Sequence, residues 1–401
     1  MEGIKGMEEN GMEKMEEIEY LQWLQSCYEL PEKLKMQIWE KYPKPGRIFG
    51  ITRECLAEFM TDRPLSILWN KLQETKGPEG MRRQFGRLKE QEISFVAITQ
   101  EEYPELLREI ADPPLGVYYR GKLPNPNTLA VALIGSRDCS EYGSHVAKMI
   151  GRALGERGVH VISGMARGID GISQQAALEA GGESYGILGC GVDICYPQSN
   201  QGLYQKLIRQ GGILSAYPPG TMPLKRNFPP RNRIVSGLSN AIVVVEAAIR
   251  SGTSITVSMA LEQGREVYVV PGRITDRLSE GCNRLIKQGA NLIVDLDGFI
   301  EELAENFFLQ RIRPKAGDNC ETGCRNSKDN AEKRHEKSVE EGLEPEYLEL
   351  WRLLDDTPKT VTDIQAGMTN ACSVQECMIR LMEMVLMGKA KQVSSGYFCR
   401  G

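Results

Sequence analysis

The chain has 401 residues, 41% of them apolar and 26% charged, with a formal net charge of −5 at pH 7. This length and apolar content support two or three globular domains with a sizeable core and exclude a wholly disordered class. The acidic balance excludes a generally basic nucleic-acid coat, but residues 1–19 hold seven glutamates against Lys5 and Lys14 and carry the whole deficit, so a local basic groove is left open.

Residues 1–18 are rich in Met, Glu and Gly without an apolar period and are expected to form a disordered acidic tail. Residues 19–92 show short helical patterns, with Tyr20, Leu21, Leu24 and Cys27 on one face, and breaks at Pro31 and Pro43-Lys44-Pro45-Gly46. They predict a small helical module of the SAM or helix-hairpin-helix kind, and the charged stretch 73–92 a surface helix. From 93 the pattern changes. Apolar runs at 94–98, 116–119, 129–134, 159–163, 185–188, 213–215, 241–246, 267–271 and 291–294 alternate with helical runs from 142, 172, 203, 231, 254 and 282. Such alternation predicts an α/β fold, a doubly wound, mostly parallel sheet of extended Rossmann-like type over 93–310. Residues 311–343 read as a polar linker. In 344–401, Tyr347, Leu350, Trp351 and Leu354 open three helical patterns, and Ser394-Ser395-Gly396 turns two β-like runs, as in a winged helix.

The eleven cysteines form no repeating framework, no signal peptide opens the chain, and no apolar run approaches the ~20 residues of a membrane span. A reduced, cytoplasmic protein without membrane contact is expected. Cys320 and Cys324 lack a second pair, so no zinc site is expected; His145, His160 and His335 share no spacing and take no catalytic role.

In parallel α/β sheets ligands bind beyond the carboxyl ends of the strands. The loops expected there are Gly135-Ser136-Arg137, Ser163-Gly164-Met165-Ala166-Arg167-Gly168-Ile169-Asp170, and Glu246 followed by Ser251-Gly252-Thr253. Each joins glycines for close backbone approach to hydroxyl or guanidinium donors suited to phosphate. The segment Lys225-Arg226-Asn227-Phe228-Pro229-Pro230-Arg231-Asn232-Arg233 adds a Pro-Pro entry that is expected to start a helix at Arg231, placing Arg231 and Arg233 on its positive first turn. Neither a dinucleotide fingerprint nor a Walker loop is present. Asp170 is read as a cap of its helix or a site acid, and Glu246 as a site acid or a partner of Arg231 or Arg233. No nucleophile with a partnered base is visible, so binding without catalysis, metal or cofactor is expected. The nearby aromatics, Phe228, Tyr196 and Tyr217, are read first as packing residues. The core 128–300 carries a net charge of +3.

The order and spacing of Gly135-Ser136-Arg137, the 163–170 segment, Tyr196-Pro197, Phe228-Pro229-Pro230-Arg231-Asn232-Arg233-Ile234, Ser251-Gly252-Thr253 and Val270-Pro271-Gly272 resemble the bacterial DNA-processing protein A family, DprA or Smf, over residues 90 to 300. The resemblance implies a homodimeric, non-enzymatic protein that binds single-stranded DNA and helps place the RecA recombinase on it during natural transformation (competence) and homologous recombination. It implies phosphate contacts from Ser136, Arg137, Ser163, Gly164, Arg167, Lys225, Asn227, Arg231 and Arg233; the loop reading adds Gly135, Gly168, Asn232, Ser251, Gly252 and Thr253. Two segments depart from the family pattern: Gly171-Ile172-Ser173-Gln174-Gln175 where Ala-His is usual, and Ser215-Ala216-Tyr217 where Ser-Glu is usual. For a different class, a small-nucleotide enzyme or sensor resembling the phosphoribohydrolase group, only Ser251-Gly252-Thr253 is similar to that group's Pro-Gly-Gly-x-Gly-Thr pattern. The third helix of the last module carries Glu376, Arg380 and Glu383 as expected exposed residues; two acids beside one base favour a protein contact over duplex DNA.

Overall fold

The computed structural model describes residues 17–58, 60–75, 86–249, 251–312, 345–355, 359–368, 374–386, 389–394 and 397–400. Of the expected acidic tail, residues 1–16 lie outside these; the same holds for linker residues 313–343 with Cys320, Cys324 and His335, for the middle half, 76–85, of the expected 73–92 helix, whose later part is a 3-10 helix over Gly86–Gln91, and for the turn at Ser395-Gly396. The chain divides into two compact units, Met1–Pro314 and Lys315–Gly401.

The first unit begins with α1 (residues 17–26), α2 (Glu32–Lys41), α3 (Pro45–Phe49), α4 (Arg53–Ala57) and α5 (Asp62–Thr75). In α5, Leu65, Leu68, Leu72 and Thr75 recur at helical spacing and form its buried stripe. Trp23 seals the two ends of the module together: its indole Nε1 donates to Thr75 Oγ1 at 2.8 Å. The module shares a core with Ala97 and Leu115 of the following domain. The link is made by Gln25, which is fully buried; its Nε2 donates to Ala216 O at 3.0 Å and its Oε1 accepts from Leu115 N at 2.9 Å.

The sheet runs β1-β2-β6-β5-β4-β3-β7-β8-β9. Its strands are β1 (Ser94–Ala97), β2 (Gly116–Gly121), β3 (Ala130–Ile134), β4 (His160–Ser163), β5 (Ser184–Ile187), β6 (Gly211–Ser215), β7 (Ala241–Val244), β8 (Glu266–Val269) and β9 (Asn291–Leu292). The pairs β1–β2 and β2–β6 are antiparallel and the rest are parallel. Side-chain alternation divides each central strand between two cores: Ala130, Ala132 and Ile134 enter one, Val131 and Leu133 the other, and β7 divides in the same way. Helices α6 (Glu105–Arg108), α7 (Glu141–Glu156), α8 (Ile169–Glu179), α9 (Gln201–Arg209), α10 (Phe228–Gly237), α11 (Gly252–Glu262), α12 (Glu280–Lys287) and α13 (Leu296–Ile312) complete this unit. Among the described residues no helix is long and apolar enough to cross a membrane.

One boundary corrects the sequence reading. Helix α10 starts at Phe228, not Arg231, because prolines lack only an N–H that the first turn leaves unpaired in any case.

The second unit orders its elements as α14 (Pro345–Leu353), β10 (Lys359–Thr360), α15 (Val361–Ala366), α16 (Val374–Leu386), β11 (Ala390–Ser394) and β12 (Tyr397–Arg400), with β12 between β10 and β11 in an antiparallel sheet. Leu350, Trp351, Ile364, Leu381 and Phe398 lie in its core. Glu383, expected to be exposed, is half-buried and accepts from Tyr347 OH at 2.7 Å, and Arg380 is also half-buried.

Replacing Gln25 by Leu leaves Leu115 N and Ala216 O buried without their partner, at about 1–3 kcal/mol each. Urea denaturation is expected to show a loss of that order; an unchanged midpoint contradicts the bridging role.

Candidate functional site

Strand β3 is where the sheet order reverses, with β4 to β6 on one side and β7 to β9 on the other. The loops leaving β3 and β7 therefore part and open a crevice beyond their carboxyl ends. A cavity of about 310 Å³ occupies it, lined by Gly135, Ser136 and Arg137 after β3, Gly164 and Asp170 after β4, Arg231 and Asn232 of α10, and Ser251, Gly252 and Thr253 where α11 begins. A second cavity of about 210 Å³ shares Arg137, Gly164 and Arg231 and adds Arg167, Tyr196 and Phe228.

Arg231 is 4% exposed. Its Nη1 donates to Gly164 O at 2.6 Å and to Ile187 O at 2.5 Å, tying α10 to the ends of β4 and β5. Gly164 makes room for it, since a Cβ there would lie 2.2 Å from Nη1. Asp170 compensates the charge. Its Oδ2 accepts from Gly164 N at 3.1 Å; burial pushes its carboxyl above the ordinary aspartate value, an effect that Arg231 opposes. Burial likewise lowers the guanidinium of Arg231, and Arg137 close by lowers it further. Arg231 is thus a structural strut that also borders both cavities, whereas the sequence reading has it facing a ligand freely.

Arg233 departs from expectation altogether. Two residues along a helix turn a side chain through about 200°, so Arg233 faces away from Arg231. Its Nη2 donates to Ala111 O and Asp112 O, and it lines neither cavity. Lys225 is exposed and lines neither. Asn227 is buried and donates from Nδ2 to Gly189 O at 3.1 Å; Ser163 is buried and donates to Leu133 O at 2.5 Å. Gly168 takes φ +74° beneath the 135–137 loop, where a Cβ would lie 2.3 Å from Ser136 O.

The two acids also have internal partners. Asp170 caps nothing in its own helix, whose N-cap is Gly168, and instead holds the 163–166 loop. Glu246 meets neither arginine. It is buried beside the start of α7, accepting from Ser140 N at 2.9 Å and from the Ser140 hydroxyl, while Ser140 Oγ accepts from Gly143 N at 3.0 Å. A carboxylate is favoured at a helix N-terminus.

Two of the three aromatics read as packing residues stand beside the arginines of the smaller cavity. Tyr196 and Phe228 pair with centroids 5.7 Å apart, and the guanidiniums of Arg137 and Arg231 each lie 5.6 Å from the Phe228 centroid. The signal available was Tyr196-Pro197 standing in the family pattern beside Phe228. Tyr217 is a packing residue, with its OH donating to Asn227 O at 3.2 Å. Gln174, in a segment that departs from the family pattern, is buried and donates to Tyr185 O at 2.9 Å. Among the described residues no cluster of His, Cys, Asp or Glu could hold a metal.

Because the folded state raises the Asp170 pKa above its ordinary 3.8, its contribution to stability is full below that value and is lost as pH rises through the raised one. Asp170→Asn lacks this dependence. The stability of the wild type relative to the variant is therefore expected to grow between pH 7 and pH 4 in urea titrations; a constant or falling difference contradicts the burial of the charge.

Residues 94–304 match the family model described as DNA recombination-mediator protein A. DNA processing protein DprA of Streptococcus pneumoniae is 40% identical over 203 residues, 51% of this chain and 72% of its own length. Protein Smf of Escherichia coli is 42% identical over 210 residues, 52% of this chain and 56% of its own length. The X-ray structure of the Streptococcus pneumoniae DNA processing protein A superposes with a TM-score of 0.60 at 31% identity, covering 71% of this chain and 97% of that one. With more than half its length matched and its crevice built from the matching segments, the chain belongs to the DNA recombination-mediator protein A family, DprA/Smf.

Proposed function

We propose that the chain binds single-stranded DNA without catalysis, that it passes the strand to a RecA-type recombinase in transformation or recombination, and that it works in the cytoplasm as a homodimer. Family membership supports the mediator role. The observation that carries the strand reading is the convergence of Arg137, Arg167 and Arg231 on a cavity bordered by the Tyr196–Phe228 pair. Single-strand binding without sequence preference needs cations for the backbone and ring faces for the bases, and this cavity offers both. Beyond burial, the charge of Arg137 close by also disfavours the charged form of Arg231, and a bound phosphate relieves that repulsion. Ser136, Gly164 and Asn232 border the same crevice.

The polar segment expected at 311–343 overlaps the end of α13, which runs to Ile312, so the linker is read as 313–343, before a winged-helix module over 344–401. The order helix, strand, two helices, two strands in the second unit supports the latter. Glu383, on the third helix α16, is engaged with Tyr347, which fits a contact with protein better than with duplex DNA.

Fluorescence-anisotropy titration of oligo-dT across salt concentrations tests the strand reading. Arg137→Ala is expected to weaken binding and to lower the logarithmic salt slope by about 0.7. Phe228→Ala is expected to cost about tenfold in affinity through lost stacking. Arg233→Ala is expected to bind like the wild type, because that side chain is held on the opposite face of α10. Absence of single-strand binding by folded wild-type protein overturns the proposal.

A further inference from the structure

The larger cavity differs in chemistry from the aromatic one. Its wall at α11 is the start of an 11-residue helix whose N-cap, Ser251, makes no side-chain cap bond. The Ser251 hydroxyl is buried without a partner, and the N–H groups of Gly252 and Thr253 find no acceptor among the described residues. Thr253 is 8% exposed and borders the cavity, and its hydroxyl has no hydrogen-bond partner among the described residues. Arg231 borders the cavity from the other side, 4% exposed and with its Nε unpartnered. Buried hydroxyl and guanidinium groups left unpaired are costly, and several of them facing one space point to an absent acceptor. Asp170 is the one carboxylate on the cavity lining, and it is engaged with Gly164 N.

We propose that this cavity seats a phosphate monoester, the terminal phosphate of a nucleotide or of a DNA strand, held by the first turn of α11, the hydroxyls of Ser251 and Thr253, and Arg137. A dianion suits this place better than a singly charged phosphodiester, because unpaired helix N–H groups favour negative charge. The buried side chains of Ile134, Val235 and Ala247 line the inner side. A volume of about 310 Å³ is that of a small-molecule site. The strand-end form rests on the reading of the chain as a single-strand binder; the free-nucleotide form stands without it.

The test uses the full chain. Calorimetry with thymidine monophosphate, thymidine and inorganic phosphate probes free ligands; anisotropy with oligo-dT carrying a 5′ phosphate, a 3′ phosphate or only hydroxyl ends probes strand termini. Either binding of the monophosphate but not thymidine, or a preference for one phosphorylated end, is expected, and Thr253→Val and Ser251→Ala are each expected to reduce it by about tenfold. Thermal melts establish that the variants fold. No monophosphate binding and equal affinity for all three oligonucleotides overturns the seat while leaving strand binding intact. A preference that survives both substitutions overturns its location. Loss of all oligonucleotide binding with the monophosphate still bound rejects the strand reading and retains the seat.

Discussion

A buried guanidinium organises the crevice. Taking Arg231 out of water costs several kcal/mol unless its charge and donors are met. Asp170 supplies the charge, the carbonyls of Gly164 and Ile187 accept from one nitrogen, and Phe228 covers its face. Apart from Phe228 on its own helix, its partners come from three other segments: the start of α8, the loop after β4 and the end of β5. Meeting the needs of one side chain therefore fixes three segments at the carboxyl edge of the sheet. Only a glycine at 164 leaves room for it, so the backbone of that loop and the position of the arginine are one constraint.

The consequence for charge is that the acids nearest the site are withdrawn from it. Asp170 is committed to the 163–166 loop and Glu246 to the start of α7. Arg167 retains a contact with Asp138, but the pair is exposed, and ion pairs in water are weak and screened by salt. The rim is thus left with Arg137 and Arg167 as cations that a polyanion can reach, although the whole chain is acidic. Local field, not net charge, decides what such a surface attracts.

Much of this was legible in the sequence, and the reasons are local. Alternation of small and branched apolar residues at 130–134 and 241–244 marks strands covered on both faces, and glycines with hydroxyls after them mark the edge where the cavities open. What was not legible depends on partners far along the chain. Ser140 and Glu246 are separated by 106 positions, and nothing near either announces the pair. Arg231 and Arg233 look equivalent in a basic run. Helical geometry alone sets them on different faces, but which face is inward depends on Gly164, 67 positions away. By its sequence the Pro-Pro entry reads as a stop before the helix, whereas it forms part of its first turn.

The helical module bears on the crevice through the same loop. Within five residues of the module, Gln25 holds Ala216 O, Tyr28 meets the Tyr217 ring edge-on at 6.0 Å, and Glu29 pairs with Arg226 at 3.2 Å. All three contacts fall on the segment between β6 and α10. That segment carries the departure Ser215-Ala216-Tyr217 at one end and Phe228 at the other. Tyr217 in turn donates to Asn227 O, one residue before Phe228. Tyr217 therefore serves as packing between the module and the loop, and the loop sets where Phe228 stands beneath Arg137. The module contributes no residue to either cavity's lining, yet it braces the approach to the ring on which the strand reading depends.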